Sequence, residues 1–235
     1  MQASELFNQP NTILLDGGMG TMLQAAGMKL GTRPEDLNIE NPELIRSIHA
    51  KYAAAGSRVV NANTFGASPH KLADSKYTLE EVITAGIANC KQAVAPYGAL
   101  VTLDVGPLGE LLEPSGTLAF EDAVAEYGRI VRAGVAAGAD ILYFETFTDL
   151  YEMKAALLAA KENSTLPIMA SMSFEANGRT FTGCTVESFA ATARGLGANA
   201  VGINCSLGPK EIFPMAKRLA EAVPGDFPVF VKPNA

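Results

Sequence analysis

The chain has 235 residues, of which 48% are hydrophobic and 18% charged, and this composition excludes a disordered protein. A net charge of −7 argues against binding to nucleic acid or to anionic membrane surfaces. Three widely spaced cysteines do not make a disulfide framework, and no secretory signal or membrane-length apolar run is evident, so we expect a cytoplasmic protein.

Short apolar runs rich in β-branched residues alternate along the chain with longer Ala-rich amphipathic stretches. Near-continuous apolar runs are typical of strands that are covered on both faces, as in a parallel sheet. Seven such runs predict strands, at residues 12–16, 58–64, 99–106, 141–146, 167–174, 200–206 and 227–233.

The stretches between these runs predict helices. In residues 41–56, Asn41 is the expected N-cap, Pro42 the first helical residue and Gly56 the stop. Pro214 lies inside the last helical pattern and predicts an irregularity there. The other main helical stretches are 119–140, 148–163, 185–199 and 209–225.

A helix, a Gly stop and a strand follow one another three times, at AAGSRVV, AAGADIL and GLGANAV. No low-complexity linker interrupts the chain, so we expect one domain over residues 1–235. Repeated β–α units predict a parallel sheet with right-handed crossovers, which fits either a (β/α)8 barrel or an open doubly wound sheet.

Polar residues stand at or just after the C-terminal end of almost every predicted strand. This placement is typical of a barrel with its site on the C-terminal face, whereas an open sheet gathers polar residues at one crevice. We therefore favour the barrel. The polar residues are Asp16, Asn63, Thr64, Asp104, Glu145, Ser173, Asn204 and Cys205.

The first predicted strand ends in LLDGGMGT, residues 14–21. Its glycines do not follow the GxGxxG dinucleotide pattern, and a tight turn that needs glycine is one explanation. The other is a binding site for a zwitterionic amino acid. In that site, exposed N–H groups of Gly17 and Gly18 would face the carboxylate, and Asp16 would face the ammonium.

Glu145 follows the apolar run ILYF directly, although charged groups are rarely buried unless they are paired or used. It could pair with a Lys or Arg at the end of a neighbouring strand, or it could bind a ligand together with Asp16.

His49 lies beside the apolar stripe of its helix, where we expect a solvated or half-buried position. Cys205 follows a strand, and it is either a small buried residue or a metal ligand.

Six motifs in order along the chain resemble the homocysteine S-methyltransferase family. The likeness covers essentially the whole chain and is greatest to the N-terminal homocysteine-binding module of cobalamin-dependent methionine synthases. The motifs are ILLDGGMGTML, NANTFGAS, DVGPLGELLEP, FETFTDL, SMSFEANGRTFTGCT and GINCSLGP.

The resemblance implies a (β/α)8 barrel and a zinc ion bound by three cysteines. One of these is matched by Cys205, while the adjacent cysteine pair of the family's eighth-strand GGCCG motif has no counterpart. We therefore expect a barrel truncated after its seventh strand, without the eighth β–α unit. We also expect this chain alone to bind zinc weakly and to transfer methyl groups poorly.

The implied chemistry is methylation of the homocysteine thiol to give methionine. A free thiol has a pKa of about 8.5, and zinc deprotonates a thiol that coordinates it. The methyl donor would be methylcobalamin on another module or a small molecule. Carried over by position, the substrate-binding residues are Asp16, Gly17, Gly18, Asn63, Thr64, Glu145 and Asn204, and the metal ligand is Cys205.

Two other functions fit the residues. One is an unrelated lyase or aldolase-type barrel, for which Lys232 is the only strand-end lysine that could form a Schiff base. The other is a truncated barrel without catalytic activity. Whatever the function, seven strands leave the first and the seventh strand with open edges. We expect these edges to be covered by segment 1–11 or by self-association.

Overall fold

The computed structural model describes residues 3–9, 11–29 and 31–234. Six parallel strands form one sheet in the order β1 to β6, so each strand lies next to its neighbours in sequence. The strands are β1 (Val59–Asn61), β2 (Leu100–Val105), β3 (Ile141–Phe147), β4 (Ile168–Met172), β5 (Ala200–Asn204) and β6 (Val229–Lys232).

This strand order confirms the barrel-type fold, because a doubly wound sheet reverses its strand order. The sheet curls into a half-barrel, and β1 and β6 do not pair within the described residues. Of the predicted strand at 12–16, only a parallel bridge from Leu15 to Val59 forms. Leu14 and Val231, beside the open edges, are 55% and 36% exposed.

The helices that follow the strands cover the outer face of the sheet. Asn41 accepts a hydrogen bond from the backbone N–H of Leu44, as the N-cap prediction requires. The last helix continues through Pro214. The helices are α1 (Ala3–Leu6), α2 (Met19–Ala25), α3 (Leu37–Glu40), α4 (Pro42–Ala54), α5 (Leu79–Val94), α6 (Phe120–Ala136), α7 (Leu150–Asn163), α8 (Val186–Gly195) and α9 (Pro209–Glu221). None in the described part is long and apolar enough to cross a bilayer.

Three apolar clusters hold the half-barrel together, and the smallest of them joins α2 to α4. The other two involve the sheet. The larger lies between the sheet and the surrounding helices. The smaller lies inside the curl of the sheet, where Leu6 and Phe7 pack against inward-facing strand residues such as Leu100 and Met169. The described part of the predicted shielding segment 1–11 therefore packs into the barrel interior, while residues 1, 2 and 10 lie outside the described residues.

His49 on α4 is fully buried, and not half-buried as the sequence predicts. Neither ring nitrogen has a hydrogen-bond partner among the described residues. Burial penalises the imidazolium form and lowers the pKa of His49 from 6.5 to about 4. The folded chain therefore holds this histidine neutral where the unfolded chain takes up a proton.

We expect a His49→Leu variant to lose less stability than the wild type when the pH falls from 7 to 5. Because the folded pKa lies below the unfolded one, the stabilisation is complete above pH 6.5 and is lost as the pH falls towards 4. At pH 5 the loss is about 2 kcal/mol. Urea unfolding at both pH values measures it, and equal losses in the two proteins would contradict the assignment.

Candidate functional site

A cavity of about 1560 Å³ occupies the concave side of the half-barrel. Seven of the eight predicted site residues line it, while Thr64 does not. The Thr64 hydroxyl is buried and bonds the backbone of Asp104 on the neighbouring strand, donating to its carbonyl and accepting from its N–H. The seven lining residues are Asp16, Gly17, Gly18, Asn63, Glu145, Asn204 and Cys205.

The ammonium of Lys232 lies between Asp16 and Glu145 in this cavity. Its Nζ is 3.3 Å from Asp16 Oδ1, 3.5 Å from Glu145 Oε2 and 5.3 Å from the centre of the Tyr143 ring. All three charged side chains are largely buried, since Asp16 is 4%, Glu145 14% and Lys232 16% exposed. Two carboxylates and an aromatic face thus form a cation site, and a strand-end lysine occupies it.

Local structure fixes the position of Asp16. Its backbone N–H donates to the Val59 carbonyl, and its Oδ2 accepts the Asn61 N–H at 2.8 Å, so the carboxylate is tied to β1. A Cβ at Gly17 would lie 2.9 Å from the Tyr52 ring, so a larger residue there would have to displace that ring. Gly17 is not among the glycines with positive φ, so close packing and not a tight turn favours glycine here, which is compatible with the binding explanation.

The charges of the site do not balance. Burial acts to lower the pKa of Lys232, but the carboxylates of Glu145, Asp16 and Asp104 outweigh it, and the net shift is upward. Burial raises the pKa of Asp16 to about 6, against the opposing effect of Lys232. Burial is thus the main cause of the shift at Asp16, whereas at Lys232 the three neighbouring acids outweigh burial. Lys232 stays charged, and the neighbouring carboxyl groups share it as their cationic partner.

Asn204 and Cys205 lie at the end of β5 in a closed hydrogen-bond network. The Asn204 Oδ1 accepts from the Thr146 N–H at 3.1 Å and from the Ser171 hydroxyl at 2.8 Å. Its Nδ2 donates to Thr146 Oγ1 at 2.7 Å and to Cys205 Sγ at 3.3 Å. Because Asn204 is only 1% exposed and every polar atom of its side chain is engaged, the geometry favours a role in orienting Cys205.

The backbone around this network is strained. Thr146 and Cys205 have φ values of 65° and 59°, in the left-handed region, and so has Ser206. Non-glycine residues in such regions cost about 1–3 kcal/mol each and are found most often at functional sites. The Asn204 side chain, which bonds both Thr146 and Cys205, holds the two strained segments together.

The described residues do not fit a complete zinc site. Among residues 3–9, 11–29 and 31–234, no group of three His, Cys, Asp or Glu side chains could hold a metal ion. Cys205 reaches the cavity, but Cys90 is buried with its Sγ 3.8 Å from the Val60 carbonyl, and Cys184 bonds the Thr185 carbonyl in a loop. A zinc–thiolate site needs three or four donors, and this part of the chain supplies one.

Among the cavity residues that the sequence does not identify as part of the site, three matter for its chemistry. Lys232 lies at the end of the last strand, and the sequence predicts for it only a role as a Schiff-base lysine. Asp104 belongs to the strand-end polar residues, and Thr146 directly follows Glu145 in the FETFTDL motif. Their positions at strand ends were the available signal, but which strand ends face each other depends on the curl of the sheet.

Comparison with known proteins shows the family of the chain. The family model for homocysteine S-methyltransferase matches residues 13–235. The methionine synthases of Mycobacterium tuberculosis and Mycobacterium leprae are 29% and 28% identical to this chain, over alignments of 238 and 239 residues. Each alignment covers 94% of this chain and 20% of the relative. The chain thus spans about a fifth of the length of these curated relatives.

Solved structures share the fold. The homocysteine methyltransferase MmuM from Escherichia coli superposes with a TM-score of 0.87 in its metallated form, at 24% identity, over 98% of this chain and 86% of that chain. Its oxidized form gives the same TM-score at 25% identity, over 98% and 85% of the two chains. Because the family model covers nearly the whole sequence, the chain belongs to the homocysteine S-methyltransferase family.

Proposed function

We propose that the cavity binds homocysteine as a zwitterion, with the substrate ammonium beside Asp16 and Glu145. The observation that carries the proposal is the Lys232 ammonium, which lies within 3.5 Å of both carboxylates and over the Tyr143 ring. A site that holds one buried ammonium has the chemistry to hold another, provided that enough negative charge is present. Three carboxyl groups around one lysine can supply that excess.

The rest of the substrate would extend from this point across the cavity. Gly17 and Gly18 line the cavity next to Asp16, and their backbone N–H groups would bind the substrate carboxylate. The thiol would point towards Cys205, which lies past the end of β5 and is held by Asn204. Asn63 is a further lining residue, and Thr64 would act through the backbone of Asp104.

We propose that the reaction is methyl transfer to the homocysteine sulfur, which gives methionine. The support is the family, together with curated relatives that are methionine synthases about five times as long as this chain. Methylcobalamin on another module is the donor that these relatives suggest. Because the described residues contribute one thiol, a zinc ion that activates the substrate would need ligands in addition to Cys205.

Residues 1–235 would then act as one homocysteine-binding unit, in the cytoplasm and without contact to nucleic acid or membrane. The aldolase-type alternative is not favoured, because a Schiff-base lysine must lose its proton to react. The carboxylates around Lys232 raise its pKa and keep it charged.

Calorimetric titration with homocysteine and two analogues tests the proposal. We expect homocysteine to bind and 4-mercaptobutyrate, which lacks the amino group, to bind at least 30-fold more weakly, since an unpaired buried charge costs about 2–5 kcal/mol. The amine 3-aminopropanethiol, which lacks the carboxylate, should bind with intermediate affinity. Equal affinities of homocysteine and 4-mercaptobutyrate would refute an ammonium subsite.

A further inference from the structure

Asp104, at the end of β2, has an unexplained carboxyl group. It lines the cavity, is 6% exposed, and its Oδ1 has no hydrogen-bond partner among the described residues. The backbone of Asp104 is fully engaged with the Thr64 hydroxyl, so the residue is firmly positioned. A buried carboxyl oxygen without a partner is costly and calls for a reason.

The charged surroundings of Asp104 are unbalanced. Burial and the Glu145 carboxylate raise the pKa of Asp104 well above its usual value, and Lys232 opposes them only in part. Lys232 already forms ion pairs with Asp16 and Glu145. Asp104 is therefore a third acidic residue near a single cation. The titratable groups that face Asp104 are Asp16 before α2, Glu35 in the short helix at 34–36, Tyr143 and Glu145 on β3, and Lys232 on β6.

We infer that Asp104 is the third carboxyl group of the ammonium subsite, un-ionised in the free protein and ionised when the amino acid binds. The inference rests on the proposed function and extends it to a residue outside the predicted site. In the bound state, Lys232 and the substrate ammonium together face the carboxylates of Asp16, Glu145 and Asp104. Asp104 is thus a substrate-binding residue, because its spare oxygen accommodates the second cation.

The proton balance follows from this arrangement. In the free protein the O–H bond of Asp104 is intact, and the site carries two carboxylates and one ammonium, a net charge of −1. Binding adds the ammonium of the ligand, the O–H bond of Asp104 breaks, and its proton passes to the solvent. Three carboxylates then face two ammonium groups, and the net charge is again −1.

Two measurements on the full chain test the inference. Infrared difference spectra of wild type against Asp104→Asn near pH 7 should show the carbonyl stretch of an un-ionised carboxyl group in the free wild type only. Titration with L-methionine in two buffers of different ionisation enthalpy should show release of about one proton per ligand in the wild type. L-Methionine carries the ammonium and carboxylate but no thiol proton, so the substrate thiol cannot contribute.

Asp104→Asn is nearly isosteric and imitates the un-ionised acid, so the fold should persist, which circular dichroism verifies. We expect this variant to release no proton and to bind L-methionine roughly tenfold more weakly. Glu152→Gln is the matched control. Glu152 is also a buried acid but does not line the cavity, and its Oε1 already accepts the Leu108 N–H and the Tyr127 hydroxyl, so the proton release should remain.

Each other outcome overturns the inference. A missing infrared difference shows that Asp104 is already ionised in the free protein. Proton release that persists in Asp104→Asn, or that disappears in Glu152→Gln, assigns the proton to another group. If neither L-methionine nor homocysteine binds the wild type, the proposed function fails and the ligand role of Asp104 with it. That failure is recognisable because the infrared signal of the free protein does not depend on a ligand.

Discussion

A Glu145→Gln variant should bind homocysteine at least 30-fold more weakly than the wild type while retaining the fold. The amide has nearly the shape of the carboxylate but no charge, so the substrate ammonium loses one of its two nearest carboxylates. Removing one partner of a buried charge pair costs about 2–5 kcal/mol, which is about 30-fold or more in the dissociation constant. Isothermal titration calorimetry at pH 7 measures the difference.

The fold should persist because the substitution relieves crowding among acids. Asp16 remains 3.3 Å from Lys232 and keeps the lysine paired. Two controls separate charge from structure. 4-Mercaptobutyrate has no ammonium and should bind the variant and the wild type equally. Glu187→Gln removes an exposed carboxylate that pairs with Arg218 at 2.8 Å on the outer helices, and it should leave homocysteine binding unchanged. Wild-type affinity in Glu145→Gln would exclude this residue from the site.

The 235-residue chain should retain less than one equivalent of zinc after dialysis against a chelator, with or without homocysteine. Complete structural zinc sites supply an apparent 10–16 kcal/mol, and this chain offers one thiolate to the cavity in place of the three that the sequence resemblance implies. Two missing thiolates remove most of that free energy, and methyl transfer should be correspondingly slow. Metal analysis by mass spectrometry measures the zinc content.

Cysteine variants identify the source of any residual binding. Cys205→Ser should abolish it, because Cys205 is the thiol that lines the cavity. Cys184→Ser should not change it, because that thiol bonds a loop carbonyl and does not line the cavity. Stoichiometric, chelator-resistant zinc in the wild type would contradict the prediction and require ligands other than the single thiol at the mouth.

The order of the elements and the barrel-type winding could be predicted from sequence because both depend on local patterns. Apolar runs and glycine stops mark β–α units, and consecutive units pack side by side. The strand predicted at residues 12–16 does not form as a strand. With no partner strand on its other side among the described residues, segment 12–16 keeps only the Leu15 bridge to Val59. Strand length there depends on a neighbour, which a local pattern does not report.

The charge balance of the site could not be predicted in the same way. Asp16, Glu145 and Lys232 are far apart in sequence, and only the curl of the sheet brings the two carboxylates within 3.5 Å of the Lys232 ammonium. The burial of His49 and the spare oxygen of Asp104 are likewise properties of packing. Residue types at strand ends indicate a site, whereas the sharing of one cation among three acids follows from three-dimensional contacts.

A crystal structure of the chain with homocysteine bound would locate the substrate ammonium. We expect the substrate nitrogen within hydrogen-bond distance of both Asp16 and Glu145, with the thiol directed towards Cys205 and Lys232 still in the site. A substrate whose carboxylate, instead of its ammonium, lies against Lys232 while its nitrogen points to solvent would contradict the proposed ammonium site. So would electron density for homocysteine outside the cavity.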